Sequence, residues 1–191
     1  MTTFEEVLRA RLSSYRALNE ASLGRVYQHV TKAGDKGFGI VTSWRAGKSK
    51  ADNMADFKKL QGEVRSLGLG FFKLIGHWKE CQDPDVAYDD CPEDDLVISK
   101  EPALFVPGIT QSQISHLMKK HSQDAVVYAG PETKGAVVLL LRGGSPQKIG
   151  KFSPNKIAQA YSRVRGRAFA FEGFEYPAQS WSEKLLEQAF T

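Results

Sequence analysis

Thr3 precedes Phe4, Val7, Leu8, Leu12, Tyr15 and Leu18, whose three-and-four spacing predicts a helix over about residues 3 to 20. Ser22 caps a second, shorter helical pattern carried by Leu23, Val26, Tyr27 and Val30 and closed by Gly34. Phe38 to Trp44 is rich in strand-forming residues. A third helix follows, with Met54, Phe57, Leu60, Val64 and Leu67 on one face and Gly68 as its stop. Gly70 to Trp78 reads as a strand, and Leu96 to Ser99 with Ala103 to Val106 resume the sheet after a polar loop. Thr110 and Gln113 form a capping box for a helix bearing Ile114, Leu117, Met118 and His121. Asp124 to Tyr128 and Ala136 to Leu141 are apolar strands joined by a turn around Gly130, Pro131 and Gly135, which predicts a hairpin. Ser153 and Pro154 open a helix to about Ser162 by the rule that proline suits the first helical position. Arg167 to Phe171 alternates as a last strand, and Ser180 with Glu183 boxes a C-terminal helix holding Leu185, Leu186 and Phe190. Helices and strands mix without a strict βαβ alternation. The expected class is therefore a single α+β domain over residues 1–191, its mainly antiparallel sheet packed by N-terminal, central and C-terminal helices.

Length and composition agree with one globular core: 191 residues, 41% hydrophobic and 25% charged. The longest apolar run, Ala136 to Leu141, is far short of the ~20 residues a membrane-spanning helix needs. The first residues show no basic stretch leading into an apolar one, so the expected location is cytoplasmic: the host cytoplasm, or a virion if the chain is phage-encoded. Cys81 and Cys91 are too few for a disulfide framework and lack histidines at zinc-finger spacing, and are expected to be free thiols.

Charge changes this picture. The net charge of +4 includes eight acids and no Lys or Arg between Glu80 and Asp95, so the remaining 175 residues carry +12. Arg142 to Arg167 holds seven cations and no acid, with Phe152 and Tyr161 between them. Such a block attracts polyanions by counterion release, and aromatic rings among cations can stack on bases. Lys151, Lys156, Arg163, Arg165 and Arg167 are accordingly the candidate nucleic-acid contacts; the plainer reading is a solvated surface. The acidic loop lacks the alternating Asp/Asn spacing and the glycine of an EF-hand, so no metal site is assigned to it. It is expected to be an exposed excursion that covers the basic body or repels the wrong polyanion.

The sharpest local signal is Thr42 to Ser49, between a predicted strand and a predicted helix. Gly47, Lys48 and Ser49 match the end of a phosphate-binding P-loop. Thr42 stands where that loop needs glycine, Trp44 and Arg45 crowd it, and the helical face starts only at Met54, which leaves Lys48 and Ser49 in a loop. Arg45 and Lys48 can still hold a phosphate through their side chains. Of the histidines His29, His77, His116 and His121, His77 with Glu80 is the candidate acid/base pair, at a strand end beside the acidic loop. Neither a Gly-x-Ser-x-Gly elbow nor a Cys/His arrangement is present, which argues against a serine or cysteine hydrolase.

The residues Gln28-His29, Thr42 to Arg45, Asn53, Leu67 to Phe71, Gly76-His77-Trp78-x-Glu80, Ser99 and Gln123-Asp124 form a pattern over about residues 22 to 130. It resembles a family of uncharacterised α/β domains of proteobacteria and tailed phages, relative to which Cys81 through Cys91 looks like an insertion. The resemblance brings no activity with it. Read physically, Arg45, Asn53, Glu80, Ser99 and Gln123 all fall at strand ends or first helical turns, from which they can converge on a polar pocket. The alternative is structural: Arg45 pairs with Glu80 or Asp94, and Asn53 caps its helix. The expectation is a small nucleotide- or nucleic-acid-handling domain of phage or mobile-element type, its reaction unspecified and Lys48 among its phosphate contacts. The competing expectation is a non-enzymatic, virion-associated or interaction protein whose basic face binds DNA or a partner. The sequence does not say whether a cofactor or a protein partner is used, and a membrane is not an expected partner.

Overall fold

A computed structural model describes residues 23–83, 86, 90–158 and 160–172. The predicted first helix and the C-terminal helix from Ser180 lie outside them. Nine strands form one antiparallel sheet: β1 (Phe38–Thr42), β2 (Phe72–Cys81), β3 (Leu96–Pro107), β4 (Ala125–Ala129), β5 (Val138–Leu141), β6 (Gln147–Lys148), β7 (Lys151–Pro154), β8 (Ala160–Val164) and β9 (Arg167–Glu172). Their order is β6-β5-β4-β1-β3-β2-β8-β9-β7. Four helices accompany them among the described residues: α1 (23–31), α2 (Ala33–Lys36), α3 (Lys50–Ser66) and α4 (Gln111–Lys120). The chain is thus an α+β domain on a curled antiparallel sheet, the class its patterning implies. No helix among the described residues is long and apolar enough to cross a membrane.

The curl follows from an aromatic contact. Phe38 on β1 and Phe171 on β9 are four strands apart in the order, a span of roughly 19 Å in a flat sheet, yet their ring centroids lie 6.3 Å apart. The concave face so formed holds Phe38, Phe105, Phe169, Leu74 and Val164, with Leu23 and Val26 of α1 laid into it. Tyr27 of α1 meets Phe152 of β7 at 5.8 Å.

The convex face is covered over half its width. Val41, Leu104, Val106, Val126, Tyr128, Val138 and Leu140 pack beneath Phe57, Leu60 and Val64 of α3 and Ile114, Leu117 and Met118 of α4. Gly39 makes this approach feasible, because a Cβ there would collide with the side chain of Ile114. The Thr110/Gln113 capping box is formed at the start of α4. The other half of the convex face, on β2, β8, β9 and the distal part of β3, has no described helix over it.

Four expectations are corrected. Ser153 and Pro154 end strand β7, paired with Ala170 and Phe169, and Ala160 to Val164 is strand β8; no helix runs from 153 to 162. A proline cannot donate to a ladder, so it fits an outermost strand as well as a helix start, and Asn155 at φ 60° turns the chain at once. The two short strands expected after the acidic loop are one, since β3 runs unbroken for 12 residues. On α3 the buried face is Asn53, Phe57, Leu60, Gln61 and Val64, whereas Met54 and Leu67 are exposed. Finally, Cys81 and Cys91 are not free thiols but a disulfide, with Cα atoms 5.6 Å apart. The β2–β3 hairpin returns the chain beside its own start, where the Gln82 amide donates to Asp95 O at 2.9 Å, so a loop of this length brings its two ends into bonding range.

Candidate functional site

Two basic hollows lie on the described surface, and some of the sequence-predicted residues fall at one or the other. The first begins at the end of β1. Thr42 donates to Pro102 O at 2.8 Å and accepts from the Trp44 amide at 2.9 Å, a strand terminus tied to β3 rather than the opening of a phosphate cradle. The chain then turns through Gly47 at φ 80°, and Ser49 caps α3 by accepting from the Asp52 amide at 3.1 Å. Lys48 and Ser49 therefore stand at the helix N-terminus, not in a loop remote from it; the first turn is polar and solvated, so apolar spacing could not reveal it, but Ser49-x-x-Asp52 is itself a capping signal.

Asn53 organises this turn. Its side chain, 1% exposed, accepts from the Arg45 amide at 2.9 Å and donates to Arg45 O at 3.0 Å and Lys48 O at 3.3 Å. Gln123 binds the same segment from the other side, donating to Trp44 O and His121 O at 3.2 Å each. The Arg45 guanidinium donates to Ser122 O, so it is held by a neutral carbonyl, and no ion pair joins it to Asp94. Arg45, Asn53 and Gln123 are thus brought together, with a hollow of about 410 Å³ lined by Arg45, Lys48, Asp56, Lys59, Lys120, His121 and Ser122.

At its rim Glu63 accepts from His121 Nε2 at 2.8 Å and lies 3.1 Å from Lys120 Nζ. Burial works to raise the Glu63 carboxyl, but the hydrogen bonds and charges of His121 and Lys120 outweigh it and hold Glu63 below its ordinary 4.5. A carboxyl depressed in the folded state contributes stability that is fully present above its unfolded value and is lost as pH falls through the folded one. Stability is therefore expected to decline as pH is lowered beneath about 4.5, and Glu63→Gln to flatten that limb. Urea midpoints at successive acidic pH values measure it; an unchanged acid limb in the variant would contradict the pairing.

Glu80 and Ser99 do not join this group. Ser99 pairs with Trp78, and Glu80 with Val97, on the part of the β2–β3 hairpin that runs past the end of β1. Thr42 is level with Ala103, and six further residues to Val97 carry the hairpin roughly 20 Å beyond it. Glu80 is three positions from His77 on one strand, an odd separation that sets the two positions on opposite sides of the pleat. His77 is 9% exposed, stacked on Tyr161 at 4.5 Å, with its Nδ1 3.0 Å from Ile75 O. A carbonyl only accepts, so Nδ1 carries the hydrogen. Burial, chiefly, with Arg163 and Lys100 nearby lowers the His77 pKa against the pull of that carbonyl.

His77 belongs to the second hollow, a shallow groove of about 440 Å³ on the uncovered half of the sheet. Register builds it. Lys100, His77 and Tyr161 form one row across β3, β2 and β8, and Pro102, Ile75, Arg163 and Ala168 the next. Lys73 lies two residues before Ile75 on the same face, and Arg165 stands at the tip of the β8–β9 turn, where Arg165 at φ 47° and Gly166 at φ 84° give the handedness a two-residue hairpin needs. Lys73, Lys100, Arg163 and Arg165 line the groove with no carboxylate among its described lining residues. The Arg163 Nε is buried without a hydrogen-bond partner among the described residues, its guanidinium 5.7 Å from the Tyr161 ring.

The remaining predicted nucleic-acid contacts lie elsewhere. Arg167 pairs with Val164, a position of the concave face, Lys151 begins β7, and Lys156 follows the turn at Asn155. Phe152 and Tyr161 are not open stacking platforms: Phe152 packs on Phe169 at 5.1 Å, and Tyr161 is 7% exposed. Lys73 and Lys100 were not found by sequence reasoning, because each is a lone lysine in a strand; the period-two run Lys73, Ile75, His77, Lys79 was the available signal. Among the described residues no group of three or more His, Cys, Asp or Glu side chains is arranged to hold a metal ion. No protein-family model matches the chain, and no curated protein is significantly similar to it.

Proposed function

We propose that the groove on β2, β3 and β8 is a nucleic-acid-binding surface that grips the phosphate backbone, and that the protein is a binding module of the nucleic-acid-handling kind. The observation that carries this is the meeting of Lys73, Lys100, Arg163 and Arg165 in one hollow with no acid among its described lining residues. They come from three separate strands and a turn, and only the fold assembles them. Exposed Ile75 between the cations offers apolar surface to sugar rings. Because Tyr161 and His77 are occupied with each other, recognition falls to phosphates, which position a strand without reading its sequence.

Binding rather than chemistry is favoured because His77 is shielded and Glu80 occupies a position across the pleat. The same basic surface suits a protein that coats packaged DNA. Affinity for DNA or RNA oligonucleotides, followed by fluorescence anisotropy, is expected to fall steeply with added salt. Lys73→Gln, Lys100→Gln and Arg163→Gln are each expected to reduce the slope of log K against log salt by about 0.7 on single strands and about 0.9 on duplex. Salt-independent binding, or slopes untouched by all three substitutions, would dispose of the proposal.

A further inference from the structure

The hollow between the N-terminus of α3 and the C-terminal end of α4 has no part in that reading, and its chemistry is different. Four permanent cations line it: Arg45, Lys48, Lys59 and Lys120. Two carboxylates answer them. Asp56 pairs with Lys48 at 2.6 Å, and Glu63 with Lys120 and His121. Arg45 and Lys59 have no carboxylate within ion-pair distance among the described residues. Arg45 spends a donor on the neutral Ser122 carbonyl, which orients the guanidinium but leaves its charge uncompensated and further N–H groups available. An anion with several acceptor oxygens and close to two negative charges would neutralise that excess. Its planar oxygen pairs suit an arginine fork, while Lys59 and Lys48 supply point charges from the side.

We infer that this cavity, lined by Arg45, Lys48 and Lys59, is a binding site for a dianionic phosphate group, separate from the sheet groove. The phosphate arrives either as the free ion or as the terminal phosphate of a nucleic-acid strand, whereas the groove handles internal phosphodiesters. The turn held by Asn53 and Gln123 fixes the Arg45 backbone, so the site is preorganised by bonds that do not involve the ligand.

The test uses the full chain. Inorganic phosphate is titrated at constant ionic strength against a chloride control and followed by amide chemical shifts, and a 5′-phosphorylated oligonucleotide is compared with its 5′-hydroxyl twin. Phosphate is expected to bind, with residues around Arg45, Lys48 and Ser122 responding. Arg45→Gln and Lys59→Gln are each expected to weaken it by about tenfold, the effect of one charge-assisted contact. Lys59 makes no hydrogen bond that the fold depends on, so its variant reports even if Arg45→Gln disturbs the turn. Only the response of the amides around Arg45, Lys48 and Ser122 is read, which separates this site from the groove whatever the outcome there. A 5′-phosphate preference that vanishes in Lys59→Gln identifies a strand end as the source, and phosphate binding without such a preference identifies the free ion. No response beyond the chloride control up to about 10 mM phosphate, or binding unaffected by both substitutions, overturns the inference.

Discussion

Replacing Phe105 with alanine is expected to cost about 3–5 kcal/mol of folding free energy, the range for deleting a fully buried aromatic ring. Phe105 is 0% exposed on the central strand β3, stacked on Phe38 at 4.9 Å and tilted against Phe72 and His29 at 6.0 and 6.2 Å. The ring fills the point where α1 enters the concave face, so neighbours held by several strands at once can only partly close the void. Urea unfolding of the two proteins measures the difference. A loss below about 1 kcal/mol would mean that the concave core is not packed around this ring.

The second large effect is expected at Asn53. Truncation to alanine removes one acceptor and two donors from a nearly solvent-free position, and the Arg45 amide and the carbonyls of Arg45 and Lys48 lose their partner together. Unsatisfied buried groups cost about 1–3 kcal/mol each when water cannot reach them. The turn is half-open, so a total of about 2–3 kcal/mol is expected, with a loss of phosphate affinity alongside it. Asn53→Asp distinguishes hydrogen bonding from packing. It keeps the shape and the acceptor but sets a carboxylate against two carbonyls, and is expected to be at least as damaging as alanine. A well-tolerated Asn53→Asp would show that shape alone matters here.

These two positions also show how far the sequence could be read. The β-rich runs around Phe38 and Phe105, the glycine stops and the Thr110 capping box are local signals with local causes, and they suffice for an α+β class with an antiparallel sheet. Ser153-Pro154 was misleading because the same dipeptide serves a helix start and the end of an outer strand, and only the neighbouring β9 decides between them. Asn53, Arg45 and Gln123 were legible as a group because they flank element ends, where polar side chains either cap or bind. Ser99 and Glu80 share that property but sit on a hairpin that overshoots β1, and hairpin length relative to a neighbour is a tertiary quantity. Lys73 and Lys100 were invisible for the same reason: a lysine in an alternating strand looks like solvent exposure until register places it beside Arg163. The free-thiol expectation failed on counting, since two cysteines make no framework yet can still close one hairpin.

That closure alters the connectivity of the chain. Between Cys81 and Cys91 two covalent routes now join β2 to β3, one through the backbone and one through sulfur. Backbone cleavage anywhere between these residues would leave the fragments joined, with both strands of the hairpin still in register and Asp94 and Asp95 still attached beside them. The segment between the two cysteines is thereby a covalently closed ring rather than a severable linker for as long as the sulfurs remain oxidised.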